Sequence, residues 1–292
     1  MKKIPLPDRC RLLLASLAFL TGFAVTTTPA AAQGASAPIT PKQTIVLFDG
    51  KTKKDLSEFY TWLAKFGRHD PDKVFTVVDQ VDGAPAIRSS GQHYGGIVTK
   101  NNFTNYKLVV EFRWGLATWE PRANRTRDSG ILLHCQGEDG NASKFFNSPW
   151  MASVEYQIIE GGTGDIILVN GVERGSGNAI VPRLFAKVAA NGKNWDPNGT
   201  EKEFTRGRID WQYRDLGWKD VLGFRGAKDV EKPVGEWNRI EAICREGDVD
   251  YFLNGVKVME GRRGSFTWGK LLFQSEGAEI FFRLIELHPL TK

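Results

Sequence analysis

Three side chains in two short runs have the types and spacing for proton chemistry. Residues 130–136 (GILLHCQ) carry His134, and residues 154–160 (VEYQIIE) carry Glu155 and Gln157. Alternate side chains of a β-strand point to one face. Leu132, His134 and Gln136 are therefore expected on one face of the first run, and Glu155, Gln157 and Ile159 on one face of the second. If the two strands are neighbours, an imidazole, a carboxylate and a carboxamide share one surface. His134, with an unperturbed pKa near ~6.5, is suited to moving a proton at neutral pH. A plainer role is also open to it, as a hydrogen-bonding group within a strand pair. Glu155 and Gln157 are harder to place in a core, because Val154, Tyr156 and Ile158 take the opposite face. Glu160 falls on that apolar parity, and only a bulge would bring it to the polar surface.

The elements that must hold these residues read as short β runs. Residues 44–48, 75–78, 86–88, 96–99, 106–114, 130–136, 154–160, 166–169, 237–245, 248–253, 256–260, 270–274 and 280–287 are rich in Val, Ile, Leu, Phe and Tyr and are separated by turn residues. Asn254-Gly255 between YFL and VKV is the strongest hairpin signal, since both central positions of a type I′ turn need positive φ. Only residues 55–66 have a helical period. Many strands and few helices predict an all-β sandwich of two antiparallel sheets. In residues 107–115 (KLVVEFRWG), Val109, Glu111 and Arg113 face one way and Leu108, Val110, Phe112 and Trp114 the other. A sandwich needs one apolar inner face, so Glu111 and Arg113 should point outward, and they are expected to join the His134 sheet as substrate-binding groups. Arg127 and Asp128 precede the His134 strand, where loops commonly supply ligand contacts, or they form a local ion pair. Glu276 lies at the turn before the last strand, at the edge of the expected site. Among nine tryptophans, Trp119, Trp150, Trp195, Trp211 and Trp218 lie in loop-like segments and are candidate sugar platforms.

Residues 1–32 read as a secretory signal peptide, with Lys2, Lys3, Arg9 and Arg11 before an apolar run and Ala30-Ala31-Ala32 before Gln33. The apolar run is shorter than the ~20 residues of a membrane span. A periplasmic or secreted location follows, with no membrane association after cleavage. Residues 33–42 are a linker, and residues 43–292 are expected to form one domain. The signal carries four basic residues and Asp8, so its removal lowers the net charge from +5 to +2, and the pI of about 9.0 is no argument for a nucleic-acid partner. Cys135 and Cys244 lie inside strand-like runs and are read as buried thiols or a disulfide. Neither has a Cys or His at zinc spacing.

Seven segments carry a family resemblance. LFDGKTKKDL, YKLVVEFRW, DSGILLHCQ, VEYQIIEGG, KPVGEWNRIEAI, VDYFLNGVKVMEG and LLFQSEGAEIFFRLIELHPL resemble, in that order, the 3-keto-disaccharide hydrolase domain family, over residues 46–290. The resemblance implies a concanavalin A-like jelly-roll and cleavage of 3-keto-glycosides or 3-keto-disaccharides. A ketone at C3 acidifies the C2 proton, so a base can remove it and expel the oxygen on C1, after which water adds. Such a route needs a base, a stabiliser for the enolate and a proton donor, not the two opposed carboxylates of ordinary glycosidases. His134 or Glu155 would be the base. Glu155, with His134, could instead hold a divalent cation that polarises the ketone. Gln157 and Arg113 would orient hydroxyls or stabilise negative charge, with Glu111, Arg127 and Glu276 as further substrate contacts. Direct hydrolysis is the competing route. A non-catalytic carbohydrate-binding jelly-roll module is the competing function. An ordinary endoglucanase is disfavoured, because Gln157 stands where its strand motif needs an ionisable Asp.

Overall fold

The computed structural model describes residues 37–291, so the expected signal peptide and residues 33–36 of the linker lie outside the described residues. Among the described residues the regular elements are all strands. They form two eight-stranded antiparallel sheets and two small ribbons. From edge to edge, the first sheet runs Val256–Gly261, Asp248–Leu253, Asn238–Arg245, Tyr106–Thr118, Ala278–Pro289, Ala84–Ser89 and Phe75–Val81, with Ile45–Phe48 also paired to Ala278–Pro289. The second runs Gly207–Ile209, Ile166–Val169, Ala152–Ile159, Asp128–Gln136, Trp268–Ser275, Gly95–Thr99 and Phe59–Leu63, with Phe103–Thr104 also paired to Trp268–Ser275. This is the β-sandwich that the pattern of strands and turns predicts, in the jelly-roll form that the resemblance implies. The hairpin at Asn254-Gly255 has the required positive φ at both positions, 50° and 82°.

The core lies between the sheets. Leu108, Val110, Phe112 and Trp114 of the first sheet meet Ile131, Leu133, Val154, Tyr156 and Ile158 of the second. Two aromatic pairs join the layers: Phe273 against Phe282, with centroids 5.7 Å apart, and Tyr156 against Tyr251, 4.5 Å apart. The Tyr156 hydroxyl donates to the carbonyl of Phe252 at 3.1 Å, so the phenol is buried without losing its hydrogen bond.

The second sheet is also covered on its other face. Val98, Leu132, Cys135, Met151 and Leu272 form a separate apolar cluster there, with Tyr60, Trp62 and Trp150 packed against it. This explains why every residue of Ala152–Ile159 and all but the last of Asp128–Gln136 is buried. Alternation of polar and apolar residues is preserved, but neither face is solvated.

The helix expected over residues 55–66 does not form. Phe59–Leu63 is instead the edge strand of the second sheet, paired in register with Gly95–Thr99. Its alternation sends Phe59 and Leu63 into the core and Tyr60 and Trp62 to the outer cluster. Packing on both faces outweighs a weak local period. Cys135 and Cys244 are free and buried, in different sheets.

Because Phe273 touches both Phe59 and Phe282, Phe273→Ala should lower unfolding free energy by about 3–5 kcal/mol. Val256, 42% exposed on an edge strand, should tolerate Val256→Ala within about 0.5 kcal/mol. Urea denaturation of both variants checks the contrast.

Candidate functional site

The outer face of the second sheet carries the site. Cross-strand partners run in one row from Tyr60 to Val98, Leu272, Leu132, Glu155, Ile167 and Arg208. Partners in a row share a face, so Arg208 and Glu155 are on the same surface, two strands apart. In the next row Gln157 is the partner of Gly130. Strand parity places Gln274 with Leu272, on this same face.

Gly130 is glycine because of what crosses it. A Cβ there would lie 2.3 Å from Glu155 Oε1 and 2.5 Å from Gln274 Oε1. Carboxylate and carboxamide thus converge over the bare backbone. Gln157 donates from Nε2 to Asp128 Oδ1 at 3.0 Å, and Asp128 Oδ2 is ion-paired with Arg122 at 3.1 Å. Both Gln157 Oε1 and Gln274 Oε1 are buried with no hydrogen-bond partner among the described residues. Such orphaned acceptors are costly unless a ligand donor reaches them, and a sugar hydroxyl is such a donor.

The electrostatics follow from burial. Desolvation pushes Glu155 up to about 8, and Asp128 beside it pushes the same way. Burial raises Asp128 to about 6 against the pull of Arg122 and Arg208. Glu276 is raised well above the carboxylate range by burial, then by Asp128 and Glu155. Tyr94, pushed up to about 12 by burial and then by Glu276, packs its ring 6.3 Å from Trp150. These three carboxyl groups share two guanidinium groups that are themselves ion-paired elsewhere, Arg208 with Asp165 at 2.6 Å and Arg122 with Asp220 at 3.2 Å, so they do not all ionise together at neutral pH. Glu155 is poised to hold or release a proton near pH 8; Arg208 supplies positive charge to it, and Arg122 to Asp128 and Glu276.

Sequence reasoning brings together Glu155, Gln157 and Glu276, and they are together here. His134 is not with them. A bulge shifts the register between Leu133 and Gln136, and His134 takes a φ of 53°. The bulge flips its parity, so His134 turns inward, its ring 5.6 Å from Tyr106 of the first sheet and its Nδ1 2.9 Å from the Phe266 carbonyl. Burial lowers its pKa to about 4, keeping it neutral. His134 and Glu155 face opposite sides of the sheet and do not fit as ligands of one cation. Among the described residues no group of three or more His, Cys, Asp or Glu side chains is placed to hold a metal ion.

Glu111 and Arg113 are corrected too. Their strand belongs to the first sheet, where Glu111 pairs with Arg283 at 2.6 Å and Arg239 at 3.2 Å, and Arg113 with Asp82 at 2.5 Å. Arg127 is buried in an ion pair with Glu160 at 2.7 Å, which also accepts the Arg127 backbone N–H. Its role is to fasten the start of its strand. Trp195 and Trp211 are buried in the core, and Trp150 alone among the five candidate platforms packs on the outer apolar cluster. Arg208, Arg122, Gln274 and Tyr94 escaped sequence reasoning. Only Gln274 left a signal, its parity with Leu272.

The fold is a jelly-roll β-sandwich, and the family to which the sequence matches gives it a carbohydrate-related function. The chain belongs to the family of 3-keto-alpha-glucoside-1,2-lyase-like domains, whose family model matches residues 43–288. A search of curated proteins found no match. Among solved structures, the chain is similar to a candidate glycosyl hydrolase from Parabacteroides distasonis, at 19% identity over 85% of this chain and 94% of that one, with a TM-score of 0.45. It is also similar to a carbohydrate-binding module from Bacillus subtilis, at 8% identity over 73% and 91%, with a TM-score of 0.38.

Two outcomes are expected. Arg127→Ala strands a buried Glu160 charge and should cost about 3–5 kcal/mol of stability, measured by urea denaturation. Asp128→Asn removes the neighbouring negative charge and should lower the Glu155 pKa from about 8. Carbon NMR of labelled glutamate carboxyls across a pH titration reads this shift.

Proposed function

We propose that this protein cleaves 3-keto-glycosides by eliminating the group on C1, with Glu155 as the base that takes the C2 proton. The observation that carries the reading is the gathering of buried Glu155 and Asp128 and two unpartnered amide oxygens on one sheet face, with exposed Arg208 on the same face and half-buried Glu276 at the turn after the Gln274 strand. The family supports the same reading, since its name describes a 1,2-lyase of 3-keto-glucosides.

The steps balance without a redox partner. A 3-keto group makes C2–H acidic, and deprotonated Glu155 takes that proton. The electron pair forms C1=C2 as the C1–O bond breaks, and the departing oxygen needs a proton. Glu276, whose carboxyl burial raises well above the carboxylate range, is the group proposed to supply it. Water then adds its hydroxyl to C1 and its proton to C2, giving net hydrolysis. Arg208 and Arg122 stabilise charge building on the ketone oxygen, while Gln157 and Gln274 accept hydrogen bonds from ring hydroxyls. Export is part of the proposal, supported by the basic start and apolar run of residues 1–32. A glycan in the periplasm or outside the cell is the substrate source it implies.

The purified protein should release aglycone from a 3-keto-glycoside and not from the parent glycoside. Equal rates on both would sink elimination. Glu155→Gln should lower kcat by about 10²–10⁴-fold. A base must be deprotonated, so kcat/KM should rise with pH through the Glu155 pKa of about 8 and lose that limb in the Gln variant. Glycan binding with no turnover on any 3-keto-glycoside would favour the non-catalytic binding module instead.

A further inference from the structure

One buried acid has no part in the proposed reaction. Glu231 is 3% exposed and lies in residues 212–237, which run from the buried Trp211 to the strand Asn238–Arg245 without a strand of their own. Its Oε1 is 2.6 Å from Trp114 Nε1, and its Oε2 is 2.7 Å from Thr163 Oγ1. Trp114 belongs to the first sheet, and Thr163 follows the strand Ala152–Ile159 of the second. One carboxyl thus ties the segment to both layers.

Counting protons fixes the state of that carboxyl. The indole of Trp114 can only donate, so Oε1 is an acceptor. Thr163 Oγ1 is also 3.1 Å from the Ile159 carbonyl, which can only accept. Thr163 has one hydroxyl proton, and one proton does not make two full hydrogen bonds. All three contacts are satisfied when Oε2 carries a proton and donates it to Thr163, whose hydroxyl then donates to Ile159. The surrounding charges agree. Arg225 faces Glu231, but that guanidinium is ion-paired with Asp229 at 3.5 Å and donates to the Glu231 backbone carbonyl. Glu160, which acts on Asp229, is itself paired with Arg127, and the phenol of Tyr156 beside Glu231 is buried and neutral. Burial pushes Glu231 up to about 8 and Asp229 pushes the same way, against the pull of Thr163, Trp114 and Arg225.

We propose that Glu231 is a protonated latch holding residues 212–237 against the sandwich, and that loss of its proton loosens this segment and the grip of Asp220 on Arg122. Asp220 lies in the same segment. Its Oδ1 accepts from Thr126 Oγ1 at 2.6 Å and from the Thr126 backbone N–H at 3.2 Å. Arg122 pairs with Asp220 at 3.2 Å and with Asp128 at 3.1 Å. Between Asp220 and Glu231, the Gly223 N–H donates to Glu160 Oε2 at 2.9 Å. A stretch without strands that is held by a few such contacts opens as a unit. Ionised, Glu231 could not donate to Thr163 and would set a second buried negative charge beside Asp229, so the segment would gain by carrying the carboxylate to water. The charge balance around Asp128 then responds to pH through a residue that touches no ligand. None of this depends on what binds at Glu155.

The closed segment binds this proton more tightly than the open one, so the latch is strongest in acid, weakens as pH rises and levels off above about 8. Amide hydrogen exchange, corrected for its intrinsic rate, reads this at Lys232, whose N–H donates to Asn238 Oδ1 at 2.7 Å, at Gly223 and at Thr126. Relative to Glu231→Gln, protection of all three amides in the unaltered protein should fall about tenfold per pH unit from roughly pH 5 to roughly pH 8. A glutamine accepts from Trp114 and donates to Thr163 at every pH, so the variant should stay folded and keep its protection. The same pH dependence in both proteins overturns the proposal. A steeper fall confined to Lys232 also overturns it, because Asp220 would not be following the latch. Should the variant not fold, carbon NMR of the Glu231 carboxyl in the unaltered protein serves instead. A midpoint near 8 with falling protection at the three amides supports the latch, and a midpoint near the ordinary ~4.3 of glutamate overturns it.

Discussion

The structure depends on one constraint: the central strands of the second sheet are buried on both faces. Its inner face packs on the first sheet in the ordinary way of a sandwich. Its outer face is closed by the Val98, Leu132, Met151 and Leu272 cluster and the aromatic rings that cover it. Polar side chains that a sandwich would normally show to water are therefore held in a low-dielectric environment. Glu155, Gln157, Asp128 and Gln274 are all at most 5% exposed. Everything distinctive about the site follows from that.

Burial on this scale has to be balanced, and most of the molecule's buried charges are. Arg127 answers Glu160, Arg214 and Arg208 answer Asp165, and Glu231 is hydrogen-bonded to Trp114 at 2.6 Å and to Thr163 at 2.7 Å. These contacts pin the ends of the central strands and the loops that follow them. Glu155 has no ion-pair partner among the described residues: Gln274 and Asp128 lie against it, and Arg208, whose charge reaches it, is ion-paired with Asp165. A carboxyl held this way prefers its neutral form and titrates near the pH at which proton transfer in either direction is cheap. Glu160 and Asp165 are paired with guanidinium groups, whereas Glu155 and Glu231 are not, and burial pushes both of these up to about 8.

Two backbone features of one strand shape the surface. At Gly130 the carboxyl of Glu155 and the amide of Gln274 pass over the strand where a side chain would block them. At His134 a one-residue bulge spends a histidine on the inner face and keeps Cys135 with the outer cluster. The same strand thus provides an opening for the site and, a few residues on, removes from it the residue best suited by type to proton transfer.

Local pattern determined much of this protein. Strand alternation and turn residues were enough for the all-β sandwich, for the hairpin at Asn254-Gly255, and for Glu155 and Gln157 on a shared non-core face, because these depend on period and on backbone φ alone. Tertiary structure decided the rest. Which sheet a strand joins is set by pairing across the whole fold, so Glu111 and Arg113 on Tyr106–Thr118 ended on the opposite sheet from Glu155. A bulge is invisible in a run such as GILLHCQ, yet one extra residue reverses every parity beyond it. Arg208 reached the site from a three-residue strand inside a polar segment with no periodic signal. The pKa of Glu155 exists only through burial and the approach of Asp128, and neither is a property of sequence.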